Sequence, residues 1–230
     1  MQINFLQVLH IFSQKAYVQI KLYNLNDENN KNMKYSVGIG LTNNCNLSCA
    51  HCYRDKNEVN NISLEQIKIL YESLPISSIG FGTGENILNP EFHQILDYLS
   101  QKDLNLSIAS NGKTITSLSE EEFLKFNDVE VSIDFPNEEK HDRFRGKGNW
   151  KLVHEAIERS RNLGVNLSIL TTIMSINYDK MPQLINLARK HGVNLRACVY
   201  QSVNSNQFTL SYEEFWKAFK DLLKLGELIS

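Results

Sequence analysis

The chain has 230 residues, 42% of them hydrophobic and 22% charged, with a formal net charge of −2. That balance suits a globular protein with a sizeable core. It offers no basic field for nucleic acid or for an anionic membrane. Three of the four cysteines fall within residues 45–52. Three clustered thiols cannot all pair among themselves, and a chain of this size does not call for a disulfide framework. The expectation is a cytoplasmic protein with functional thiols. The apolar first twelve residues are interrupted by Gln2, Asn4, Gln7 and His10 and lack the features of a secretory signal. No run approaches the roughly 18 apolar residues of a spanning helix.

Residues 1–34 read as an N-terminal extension ending in the polar stretch NLNDENNKNMK (24–34), which resembles a linker or turn. Met33 closes it, so translation from Met33 is one option; a strand or helix in 1–23 packed on the main domain is the other. Residues 35–230 form the core. Strands are predicted at 36–42, 77–82, 104–109, 129–134, 165–173 and 193–199. Helices are predicted at about 63–73, 91–102, 119–126, 149–163, 178–191 and 211–225. Ser63, Ser119 and Asn89-Pro90 mark helix starts, and Gly164 and Gly192 mark helix ends. Six βα units in a row predict a parallel sheet with right-handed crossovers.

Four of the strands alternate rather than running apolar throughout. Val37, Ile39 and Leu41 oppose Ser36, Gly38, Gly40 and Thr42. Val129, Val131 and Ile133 oppose Glu130, Ser132 and Asp134. Strand 165–173 and strand 193–199 repeat the pattern, the latter with Val193, Leu195, Ala197 and Val199 as its apolar stripe. Crossover helices are expected to cover the apolar face and leave a small, polar one. The fold class is therefore α/β, an open partial TIM barrel of (βα)6 form whose concave face is free to line a polar ligand. A sheet with one face in solvent is the plainer reading.

The thiols stand as CNLSCAHC, with Cys45, Cys49 and Cys52 at C-x3-C-x2-C spacing. Structural zinc wants four protein ligands, and no fourth stands at finger spacing; His51 is cramped between two of the cysteines. Three soft thiolates suit an iron–sulfur cluster with one iron open to a ligand. The loop follows the first parallel strand, at the edge where such folds bind ligands.

CNLSCAHCY resembles the cluster loop of radical S-adenosylmethionine (radical SAM) enzymes. GFGTGENILNP (80–90), SIASNG (107–112), VSIDFPNEEKHDRFRGKG (131–148) and the segment 169–194 resemble further stretches of that family in order, the last two most like its peptide- and protein-modifying branch. The resemblance covers roughly residues 35–200. It implies that Cys45, Cys49 and Cys52 ligate a [4Fe-4S] cluster whose fourth iron binds S-adenosyl-L-methionine. It places His51, Gly84, Glu85, Ser132, Asp134 and Arg145 around that cofactor, with Glu85 at its methionine end and Ser132 and Arg145 at its ribose and carboxylate. One electron from a flavodoxin- or ferredoxin-type reductant then yields a 5′-deoxyadenosyl radical that takes hydrogen from a substrate, expected to be a peptide or protein. Plainer roles stand beside these: a tight turn for the glycines, a turn cap for Asp134, a surface ion pair for Arg145, a core position for Trp150.

Two departures matter. The family's Gly-Gly-Glu-Pro reads Thr83-Gly84-Glu85-Asn86, adding a Cβ and removing a fixed φ. The sequence ends at Ser230 without the cysteines of the C-terminal auxiliary-cluster domain that peptide-modifying relatives often carry, so either a minimal core enzyme or a truncated chain is expected. Cys198 is expected on the concave face by period two, either as a small buried hydrophobe or as a hydrogen donor to a substrate radical. A glycyl-radical-enzyme activase, and a non-catalytic iron–sulfur or zinc module, remain the alternative functions.

Overall fold

The computed structural model describes residues 8–13, 16–22, 34–203 and 205–226, with side chains over 34–203 and 205–225. The residues 24–33 of the polar stretch lie outside it. The chain forms two compact units; the first draws on residues up to Asn46, Arg54–Ser110 and Ser117–Asp128, the second on Leu47–Tyr53, Asn111–Thr116 and the chain from Val129.

In the first unit β3 (Tyr35–Gly40), β4 (Ile76–Gly82) and β5 (Asn105–Ser110) run parallel, with Val37 opposite Ile79 and Ile79 opposite Leu106. β1 (Val8–Ser13) and β2 (Ala16–Leu22) form an antiparallel hairpin, and β2 pairs antiparallel with β3. Helix α1 (Leu64–Ser73) starts at a capping box in which Ser63 and Gln66 exchange side-chain and backbone bonds. Helix α2 (Phe92–Ser100) turns Phe92, Ile95, Leu96 and Leu99 inward. They share a core with Val37, Ile39, Ile79, Phe81, Leu106 and Ile108. Phe81 meets Phe92 and Phe126 edge-on, at ring centroids 6.4 and 6.2 Å apart. The short α3 (Lys113–Ser117) and α4 (Glu120–Phe123) follow β5, the latter with its own capping box at Ser119.

In the second unit β6 (Asp128–Ser132), β7 (Leu167–Ile173) and β8 (Asn194–Val199) run parallel, with Val131 opposite Ile169 and Ile169 opposite Leu195. The helices are α5 (Glu138–Arg145), α6 (Asn149–Leu163), α7 (Met181–His191) and α8 (Tyr212–Gly226). Gly164 and Gly192 take left-handed φ of 68° and 67° and close α6 and α7, as their position before a strand predicts. The class is the expected one: α/β, six parallel strands with helical connections, the (βα)6 arrangement of an open partial TIM barrel.

The alternation holds on β3, β6 and β7, whose apolar stripes are buried. It fails on β8. Ala197 and Val199 are exposed, so no helix covers that end of the predicted stripe. The opposite face is also less open than expected, because Gly40, Thr42 and Ser168 are buried. Helix α5 has no counterpart in the sequence reading. Among the described residues no helix is long and apolar enough to cross a membrane.

Candidate active site

In the first unit the chain leaves β3 into a loop held by Asn43. Its side chain donates to the carbonyls of Asp55 (3.1 Å) and Glu58 (2.6 Å) and accepts from the amide of Asn60 (2.7 Å). Arg54 Nη1 donates to the Asn43 carbonyl at 2.7 Å. This clasp joins the two ends of the cysteine loop, and Cys45 follows it, half-buried.

The glycine-rich segment is strapped to the same place. The Glu85 amide donates to the Asn44 carbonyl at 2.8 Å, and Asn89 Nδ2 donates to the carbonyls of Leu41 (2.7 Å) and Ile62 (2.9 Å). Gly84 has a φ of +66°, and a Cβ there would stand 2.2 Å from the Thr42 carbonyl oxygen and 2.6 Å from that of Asn44. Only glycine fits. Thr83, where the family has glycine, is held at a φ of +60°, a conformation that costs an L-residue about 1–2 kcal/mol. Glu85 is fully buried and accepts from Ser110 Oγ at 2.6 Å. The neighbouring Asn86 is also buried, and neither polar atom of its amide has a hydrogen-bond partner. Burying an unsatisfied amide is costly.

In the second unit the cysteine loop packs on α5. Cys49 is buried, with its Sγ 3.7 Å from the Arg145 carbonyl oxygen. The Cys52 amide donates to the Cys49 carbonyl at 3.2 Å, and the His51 ring stacks on Phe144 with centroids 5.0 Å apart. Arg145 Nε donates to Asp134 Oδ2 at 2.7 Å, and the Thr172 amide donates to Asp134 Oδ1 at 3.0 Å. The pair is buried, with side-chain exposures of 9% and 0%, so the surface ion pair and the simple turn cap are both set aside. Burial alone would raise the Asp134 carboxyl; the charges of Arg145 and His51, and the bonds from Thr172 and Arg145, outweigh it and hold the group below the ordinary carboxylate range. Burial would lower Arg145, but Asp134 and the Cys49 and Cys52 sulfurs raise it above its ordinary value. A permanent cation is thus set beside two thiols.

Ser132 is half-buried on β6, in register with Leu170. Cys198 is exposed on β8, with its sulfur 3.6 Å from Thr172 Oγ1 and from the Thr171 carbonyl oxygen. The small-buried-hydrophobe role therefore does not apply. Desolvation of the sulfur, followed by the Asp134 and Glu130 charges, raises its thiol above the ordinary value against the lowering effect of the Thr172 hydrogen bond, so the S–H stays protonated. In the first unit the structure thus gathers Cys45, Gly84 and Glu85, and in the second Cys49, His51, Cys52, Asp134 and Arg145.

The sequence reading missed a polar chain behind Arg145. His141 Nε2 lies 2.9 Å from Asn149 Oδ1, and Asn149 Nδ2 donates to the Asn111 carbonyl at 2.7 Å. Asp142 accepts from the amides of Gly148 (2.6 Å) and Trp150 (2.7 Å), fixing the turn between α5 and α6. The glycines at 146 and 148, both at positive φ, were the available signal for such a turn. Trp150 is half-buried and meets His141 edge-on at 5.6 Å.

Among the described residues no group of three or more His, Cys, Asp or Glu side chains is gathered to hold a metal ion. Three thiols can hold three irons of a four-iron cluster and leave the fourth open, a group larger than a single zinc. The three cysteines, all free of disulfides, fit the larger group in number and softness.

Thiols on the loop after the first parallel strand and a buried glutamate in the loop after the second are thus carried on a partial α/β barrel. The sequence model of the Radical SAM superfamily matches residues 39–188, and the chain belongs to that superfamily. It is 28% identical over 167 residues to the mycofactocin maturase MftC of Mycolicibacterium smegmatis, covering 68% of this chain and 42% of that protein. It is 25% identical over 202 residues to an S-adenosylmethionine-dependent nucleotide dehydratase of Selenomonas ruminantium, covering 80% and 74%. The fold matches SuiB of Streptococcus suis bound to S-adenosylmethionine at a TM-score of 0.67 and 15% identity, over 83% of this chain and 45% of that one. The chain thus spans less than half the length of the maturase and of SuiB.

Proposed function

We propose that this chain is a radical SAM enzyme acting on a peptide or protein. The observation that carries the reading is the set of three thiols outside any disulfide, Cys45, Cys49 and Cys52, with the buried Arg145–Asp134 pair beside the latter two. When bound, a [4Fe-4S] cluster and S-adenosyl-L-methionine supply one-electron chemistry that ends in removal of a hydrogen atom from substrate.

The chain's own residues hold and orient that chemistry. Cys45, Cys49 and Cys52 are the cluster ligands. The Arg145 cation stands beside Cys49 and Cys52. Glu85, anchored through Ser110, takes the ammonium of the methionine end, and Gly84 allows the tight turn that carries it. Arg145 spends Nε on Asp134, leaving its terminal nitrogens for a carboxylate, and Asp134 is the positioning residue that fixes the guanidinium plane. Ser132 offers a hydroxyl to the ribose, and His51 contacts the cofactor through its backbone. Cys198 is the hydrogen-atom donor: it is exposed, protonated and beside Thr172. A flavodoxin- or ferredoxin-type protein supplies the electron, and the enzyme is cytoplasmic.

The peptide substrate rests on the resemblance around HDRFRG and on the likeness to SuiB, whose structure is also known bound to its precursor peptide SuiA. A nucleotide is the second reading, because the Selenomonas enzyme is matched over 74% of its own length. Anaerobic reconstitution tests the cluster. Iron and sulfide near four per chain in the wild type, lost in Cys49→Ala, support the reading; zinc alone, or an unaffected variant, points to the non-catalytic module. Product formation with peptides encoded beside the gene, set against nucleotides, then decides the substrate.

A further inference from the structure

Helix α8 is anchored along one side. It packs on α7 and on the turn Tyr178–Lys180, with Ala218 buried and the Leu225 carbonyl accepting from Arg189 Nη2 at 2.8 Å. Along its solvent side Tyr212, Trp216, Phe219 and Leu223 stand four, three and four residues apart. That spacing draws one seam along a helix, of the kind by which two helices interlock their side chains. Such a seam is ordinarily covered, yet these four residues are 73%, 37%, 40% and 50% exposed. The rings are ordered against one another: Tyr212 meets Trp216 edge-on at 6.0 Å, and Trp216 meets Phe219 at 5.6 Å. At about 150–250 Å² for each aromatic side chain, the exposed fractions leave about 400 Å² of apolar surface, a patch of the size that marks an interaction site. A groove of about 610 Å³ runs beside the seam from Tyr212 to Lys224.

The charges that flank the seam say what covers it. Glu213 and Lys220 each follow a seam residue, Tyr212 and Phe219, and lie two turns apart on the same side of the helix. Lys217 is paired with Asp221 at 3.1 Å. Glu213 and Lys220 are exposed and make no ion pair among the described residues. Two copies of α8 laid antiparallel about a two-fold axis between Trp216 and Phe219 set Trp216 on the partner's Phe219 and Tyr212 on the partner's Leu223. The same register sets Glu213 against the partner's Lys220, and Lys220 against the partner's Glu213. A parallel two-fold pair would instead bring each charge level with its own copy, Glu213 with Glu213 and Lys220 with Lys220.

We propose that the Tyr212–Leu223 seam of α8 is a self-association surface, and that its occupant is the same helix of a second copy of this chain in antiparallel orientation. The patch is then isologous: one stripe and one pair of opposite charges, used twice, close the contact. Two such patches with their charged flanks bury about 1,000 Å², the low end of specific interfaces, so the dimer is weak and reversible. Trp216 and Tyr212 are its anchors, and the reciprocal Glu213–Lys220 pairs fix its direction. The surface needs neither cluster nor substrate, so it stands apart from the function proposed above.

The test is sedimentation velocity of the full chain from about 1 to about 300 μM, the range in which a weak dimer forms and dissociates. The wild type should pass from monomer to dimer. Glu213→Lys alone and Lys220→Glu alone should each dimerise at least about fivefold more weakly, because each sets like charges against one another twice. The two single variants mixed in equal amounts, and the double variant Glu213→Lys/Lys220→Glu, should dimerise as the wild type does. Trp216→Ser should stay monomeric while keeping the wild-type circular dichroism. A wild type that is monomeric throughout would overturn the proposal, as would a dimer that neither charge reversal weakens. Weakening without rescue in the mixture rejects the antiparallel pairing. A monomeric wild type whose α8 binds phosphatidylglycerol vesicles instead assigns the seam to a lipid surface and likewise overturns it.

Discussion

His141 gives a pH dependence that can be worked out from the structure. Its ring is fully buried. Asn149 Nδ2 is committed to the Asn111 carbonyl, so Asn149 Oδ1 is an acceptor and His141 Nε2 carries the proton. Nδ1 then holds a lone pair with no hydrogen-bond partner. Protonating it would bury a cation with no acceptor, next to Arg145. Burial first, then the Arg145 charge, push the pKa from 6.5 to about 4. The unfolded chain therefore binds a proton between those values that the folded chain refuses, and stability falls as pH drops through that window. At about 1.36 kcal/mol per pH unit, the loss is about 3 kcal/mol, fully absent above pH 6.5 and complete near pH 4. The assay is urea unfolding of the full chain from pH 7 to 4, compared with His141→Gln, which keeps an amide donor toward Asn149 but cannot titrate. The difference between the two curves should shrink steadily toward acid as the wild type loses its advantage. Parallel curves across the whole range would refute the buried, neutral histidine.

Asp134→Asn should cost about 3–5 kcal/mol, because it strands the buried Arg145 charge. The double change Asp134→Leu/Arg145→Met should recover most of that loss in the same urea assay; a single variant within about 1 kcal/mol of wild type would contradict the pair's burial. Gly84→Ala should destabilise the first unit by about 2 kcal/mol, since the clash is with backbone at Thr42 and Asn44; a neutral melting temperature counts against the turn. Cys198→Ala should leave iron content and folding stability unchanged while product yield drops, and normal yield would remove the donor role.

Much of this site was legible because its chemistry is local in sequence. The cysteine loop stands at the end of β3, whose period-two pattern is strong, and Glu85 stands in the glycine-rich segment that follows β4, so each motif and its place came together. Asp134 and Arg145 were legible as residues, but their burial as a pair was not. Helix α5 (EEKHDRFR) is polar almost throughout, and only His141 is fully buried among its residues. No apolar period announces it, and its fold depends on the Asn137 cap and on packing that only the tertiary structure supplies. The β1–β2 hairpin was left open between strand and helix, although Val18, Ile20 and Leu22 alternate with Gln19 and Lys21. The β8 stripe misled because alternation marks two faces without saying that a helix reaches both ends of one. Asn86 was read only as a lost proline; that its amide is buried without partners could not be seen from the sequence.

The central claim is that this chain reductively cleaves S-adenosyl-L-methionine. The most direct measurement is anaerobic: the reconstituted chain, dithionite and S-adenosyl-L-methionine, with 5′-deoxyadenosine quantified by chromatography and mass. Nucleoside formation is expected in the wild type, accelerated by the true substrate, and none in Cys45→Ala, Cys49→Ala or Cys52→Ala. A wild type that carries four irons per chain yet forms no 5′-deoxyadenosine, or a cysteine variant that forms as much as the wild type, would contradict it.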